Sequence, residues 1–61
     1  MTGNELKSAR LRLGLSQAQL AAALNMSGST GNRTIRKWES GEYTIPGPVV
    51  AAIELLLERE E

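Results

Sequence analysis

The chain has no cysteine, no histidine and no aspartate among its 61 residues. The first absence excludes disulfides, and together they remove the common zinc-ligand sets and His- or Cys-based nucleophilic chemistry. All seven acids are glutamates, and no spacing pairs a serine, lysine or tyrosine nucleophile with a base. No catalytic residue, metal site or cofactor is therefore expected, and the chain does not read as an enzyme. No apolar run approaches the roughly 20 residues of a membrane span, and Met1-Thr2-Gly3-Asn4-Glu5 lacks the basic-then-apolar order of a signal peptide. A cytoplasmic location away from membranes follows as the expectation. No stretch alternates with period two for long enough to form a strand, and there is no internal repeat or linker. What is left is one all-α domain over residues 1–61. A chain of this length buries only about 60% of its unfolded surface, so its own core is marginal and leaves room for a partner subunit.

Charge of one sign is scarce at each end. The formal net charge is zero, but residues 1–38 carry Lys7, Arg10, Arg12, Arg33, Arg36 and Lys37 against Glu5 alone, a net +5. Residues 39–61 carry Arg59 against six glutamates, a net −5. Such a distribution implies one face suited to phosphates and an opposite end that repels them.

Four helices can be placed. The first runs from about Gly3 to Leu13, with Leu6, Ala9, Arg10 and Leu13 at helical spacing, Thr2 and Glu5 as a capping box, and Gly14 as a left-handed stop. The second spans about Gln17 to Leu24. Ser16 caps it, Gln19 completes the capping box, and Leu15 with Leu20 supplies a hydrophobic staple. Asn25 to Gly31 has the composition of a loop, with two glycines, two serines and a threonine. On that reading the third helix resumes near Asn32, keeps Ile35 and Trp38 on its inward face and Arg33, Arg36 and Lys37 largely off it, and stops at Gly41. After a connector from Glu42 to Pro46, the fourth helix begins near Gly47 with Pro48 in its first turn. Val49, Val50, Ile53, Leu56 and Leu57 form its apolar stripe, and it frays over Glu58 to Glu61.

The segments LGLSQAQLAAALNMS and RTIRKWESGE resemble the Cro/CI-type, XRE-like helix-turn-helix repressors of bacteria and phages, over about residues 4–57. The resemblance implies a compact four- to five-helix bundle, a lambda-repressor-like DNA-binding domain, whose second helix lies across the DNA backbone and whose third enters the major groove. It implies base-edge contacts from Asn32, Arg33 and Lys37, since Arg and Lys suit the O6 and N7 acceptors of guanine and Asn suits adenine. It implies phosphate contacts from Gln17, Thr34, Arg36, Tyr43 and Thr44, which position the protein without carrying sequence information. Arg10 and Glu39 match a scaffold ion pair, and Trp38 belongs to the core. One departure stands out. The family's turn between helices 2 and 3 is about three residues long, and this chain carries an apparent insertion, Gly28-Ser29-Thr30-Gly31. Its composition favours a loop; were it helical, Ser29 and Thr30 would reach the DNA.

The expected function is a sequence-specific repressor of transcription that binds double-stranded DNA as a homodimer on an inverted repeat. Val49, Ile53, Leu56 and Leu57 offer more aliphatic surface than so small a core absorbs and form the expected dimer contact. With the chain ending after helix 4, no small-molecule effector is expected. This suits an autorepressor of a phage or mobile element, including the small regulators encoded beside anti-CRISPR genes, or an antitoxin. The alternative is a protein-interaction module that keeps the fold without reading DNA, for which the neutral net charge speaks.

Overall fold

The computed structural model describes residues 1–26 and 28–59, the side chain of Ser29 excepted. They form four α-helices: α1 (Gly3–Arg12), α2 (Gln17–Ala23), α3 (Gly28–Glu39) and α4 (Gly47–Arg59). No strand occurs among the described residues, so the fold is all-α. The fraying expected at the end of α4 lies partly outside the described residues. No helix among them is long and apolar enough to cross a membrane.

The helix starts follow local chemistry. The Thr2 N–H donates to Glu5 Oε1 at 2.8 Å and the Glu5 N–H to Thr2 Oγ1 at 3.1 Å. Ser16 and Gln19 repeat the arrangement at 2.8 and 3.0 Å. Each box satisfies two amide groups that the first turn of a helix leaves unpaired. The helix ends are equally regular. Gly14, Asn25 and Gly41 take left-handed φ values of 73°, 61° and 83°. Each donates its N–H to the carbonyl three residues back, and the next residue donates to the carbonyl five back, as in Leu15 to Arg10 (3.1 Å), Met26 to Ala21 (2.7 Å) and Glu42 to Lys37 (3.0 Å). Three Schellman motifs thus close α1, α2 and α3, with asparagine replacing glycine at the second because its short polar side chain tolerates this region.

Leu6, Leu20, Ile35 and Ile53 are fully buried, and Ala9, Ala21, Trp38 and Ile45 complete the core. Burial of each large aliphatic side chain stabilises the fold by about 1.5–3 kcal/mol. Two corrections follow. Ile45 belongs to the core although it lies in the segment read as a plain connector. Ile53, expected at a dimer contact, is 0% exposed: it faces inward on α4 and is consumed by the chain's own core. Val49, Leu56 and Leu57 pack against the core but stay partly exposed.

The larger correction concerns α3. It begins at Gly28, so the segment expected as loop is helical through Gly31, despite glycines that each cost a helix about 1 kcal/mol relative to alanine. Gly31 is buried where α2's exit crosses α3, and a Cβ there would collide with the Met26 carbonyl oxygen and stand 2.8 Å from its carbon. The glycine is present for close approach, not for a bend. Only residues 24–27 then separate α2 from α3, a turn of ordinary helix-turn-helix length. The extra residues lengthen the third helix at its start.

Candidate nucleic-acid interface

Successive residues on a helix are about 100° apart, so the inward positions Gly31, Ile35 and Trp38 leave Thr30, Arg33, Arg36, Lys37 and Ser40 turned away from the core. Thr30, Arg33, Arg36 and Ser40 are exposed and Lys37 is half-buried. Among the described residues Arg33 and Arg36 have no ion-pair partner, and their guanidinium groups remain available to an incoming anion. Lys37 does not: its Nζ lies 3.1 Å from Glu42 Oε2 and 5.2 Å from the centre of the Tyr43 ring. Arg33, Arg36, Lys37, Ser40 and Glu42 line a shallow groove of about 450 Å³ along this face.

The groove is held against the rest of the molecule by the Glu39 carboxylate. Its Oε2 accepts from Arg10 Nε at 2.7 Å, and its Oε1 accepts from Arg10 Nη2 at 3.4 Å and from Gln17 Nε2 at 3.2 Å. Arg10 Nη1 also donates to the Leu15 carbonyl at 3.0 Å. The two charged side chains are only 11% and 7% exposed, so much of their attraction is offset by desolvation. Their main effect is to fix α1, α2 and α3 relative to one another.

The residues singled out from the sequence are therefore placed unequally. Arg33, Arg36 and Lys37 share the outward face of α3, and Tyr43 and Thr44 follow it, both exposed. Gln17 reaches the Glu39 carboxylate with one of its two amide hydrogens and keeps the other. Asn32 is half-buried at the edge of this face. Because α3 starts four residues earlier than expected, Asn32 falls between Gly31 and Ile35 rather than at the helix start, and its Oδ1 is buried without a hydrogen-bond partner. The Thr34 hydroxyl donates to the Thr30 carbonyl at 2.9 Å.

Two further residues belong to this face. Thr30, named above for the case in which this segment is helical, is exposed one turn before Arg33; the side chain of Ser29, its companion in that alternative, lies outside the described residues. Glu42 carries a signal that is legible in the sequence. Once Gly41 takes the left-handed position of a Schellman motif, the residue after it returns to the level of the residue five before it, which places an acid beside Lys37.

A model of the helix-turn-helix family matches residues 6–60. The type II methyltransferase M1.ScrFI of Lactococcus lactis subsp. cremoris is 51% identical over 45 residues, covering 67% of this chain and 11% of that protein. The chain thus spans a small part of that relative's length. No solved structure matches. Capped α2, a four-residue turn and a cation-bearing α3, together with a family match that runs from α1 through α4, make this chain a member of the helix-turn-helix family, a DNA-binding domain of the XRE type.

Proposed function

We propose that the domain is a sequence-specific repressor of transcription that binds double-stranded DNA as a homodimer on an inverted repeat, with α3 in the major groove. The observation that carries this reading is the pair of exposed guanidinium groups of Arg33 and Arg36, without ion-pair partners among the described residues, on the face of α3 that the core does not use. Arg33, with Lys37 one turn on, meets base edges, where guanine O6 and N7 accept from cationic donors. Arg36, the second amide hydrogen of Gln17, and the Tyr43–Thr44 segment meet the flanking phosphates.

Size supports two copies. The longest dimension of the domain is 29 Å, whereas successive major grooves on one side of DNA lie about 34–36 Å apart. One copy fills one groove, and a symmetric pair reads both halves of an inverted repeat. Val49, Leu56 and Leu57, partly exposed on α4, and Leu55, 50% exposed beside them, supply the aliphatic contact between copies. Control by the concentration of the protein itself fits this arrangement.

Selection of bound fragments from random duplex DNA, followed by mobility-shift titration over a salt series, tests the proposal. The expected result is a two-fold symmetric consensus and an affinity that falls linearly on a log–log plot against salt. The competing reading, a protein-interaction module or antitoxin on the same fold, draws on the zero net charge. It requires no consensus and little salt dependence.

A further inference from the structure

We propose that Glu42 is a specificity-determining residue: it withholds the Lys37 ammonium from backbone phosphates, so that Lys37 adds to binding only where the base sequence rewards its release. The inference rests on the DNA-reading role of α3 proposed above.

Glu42 is the one carboxylate among the described residues lining the groove with Arg33, Arg36 and Lys37. A carboxylate on a surface that meets phosphates opposes binding, so its presence there asks for a reason. The fold brings it there by backbone geometry. The 3.0 Å bond from the Glu42 N–H to the Lys37 carbonyl is the long bond of the Schellman motif closing α3, and it aligns the two side chains at positions that commonly make an apolar contact. In this chain the contact is ionic, 3.1 Å between Nζ and Oε2, and the Tyr43 ring lies 5.2 Å from the same Nζ. An exposed pair of this kind adds little to stability. Its effect falls on the lysine, whose charge is already answered before DNA arrives.

On an arbitrary sequence, taking Lys37 to a phosphate exchanges one anion for another and leaves Glu42 facing the backbone. Little is gained. On the correct sequence a guanine offers Lys37 two acceptors while Arg33 is also engaged, and the release is offset by contacts that other sequences lack. Discrimination rises because the wrong site is penalised.

The test is E42Q, alone and combined with K37Q, titrated by fluorescence anisotropy against the selected duplex and an unrelated duplex over a salt series. The substituted side chain is 59% exposed and the backbone bond is retained, so the melting temperature serves as a check that the fold is intact. E42Q is expected to tighten binding to the unrelated duplex by about three- to tenfold at low salt, with a smaller gain on the selected duplex. The salt slope on the unrelated duplex should steepen by about 0.9, the value for one more cation on phosphate. In the K37Q background the gain from E42Q should largely vanish. Unchanged affinities for E42Q, or a gain undiminished by K37Q, would overturn the assignment while leaving the DNA-binding reading standing. Loss of binding to the selected duplex alone would overturn it in favour of Glu42 accepting from a cytosine amino group. Absence of salt-dependent DNA binding by the unaltered protein would remove both proposals together.

Discussion

The two faces of α3 follow opposite rules although they alternate along the same twelve residues. The inward face holds Gly31, Ile35 and Trp38, all buried and none charged. Each is fixed by what it touches: a neighbouring carbonyl, the core, the core again. The outward face holds Thr30, Arg33, Arg36 and Lys37, and only Lys37 among these three cations is paired within the described residues. Folding free energy therefore resides on one side of the helix, and the capacity to meet an anion on the other. Substitutions on the two faces should separate stability from binding.

Ile35→Ala should give the largest effect. It leaves a cavity at a fully buried site and should lower unfolding free energy by about 2–5 kcal/mol, enough to unfold much of so small a domain; urea denaturation followed by circular dichroism measures it. Gly31→Ala comes next, with a loss of about 1–3 kcal/mol, because the new methyl meets the Met26 backbone rather than a movable side chain. Gly47→Ala, where a Cβ would meet nothing within 4 Å, is the matched control and should leave stability intact or raise it. On the outward face, Arg33→Ala should leave denaturation unchanged and reduce preference for the selected site by about 1–3 kcal/mol, while Arg36→Ala should weaken all sequences alike and flatten the salt slope by about 1. An Arg33 variant that melts early would collapse the distinction between the faces.

The smallest effect lies off both faces and tests the capping box. Hydrogen bonding from Thr2, its backbone N–H first and its side chain next, holds the Glu5 carboxyl below its usual range. A group whose folded pKa is lowered contributes stability that is present above its unfolded pKa and is lost as pH falls through the folded value. Melting temperatures should thus decline on acidification through the carboxylate range, and by less in Glu5→Gln, which keeps the geometry of the box without the titration.

The same division governs what the sequence discloses. The boundaries of α1 and α2 are legible because capping boxes and left-handed stops are local, written within a few residues of where they act. Gly41 and the inward stripe of Ile35 and Trp38 are legible for the same reason. The first turn of α3 is not, because its glycines answer to Met26 across a chain crossing, and composition cannot distinguish a glycine needed for bending from one needed for proximity. That difference moves Asn32 from the start of the helix to its second turn and makes the alternative that included Thr30 the one the structure takes. Ile45 escapes notice because nothing periodic surrounds it, and the demand of the core for Ile53 over a partner subunit depends on packing that a stripe of aliphatic residues does not specify. The Arg10–Glu39 pair is found where the family resemblance puts it, whereas its third member, Gln17, emerges only from the geometry.

Gly3 has a structural consequence. A Cβ at this position would collide with the Glu39 carbonyl oxygen and stand 2.6 Å from that of Trp38, so the first turn of α1 rests on the last turn of α3. A side chain at this position would have to push α1 away from α3, so the seating of the first helix on the helix that carries Arg33 and Arg36 depends on a residue with no side chain.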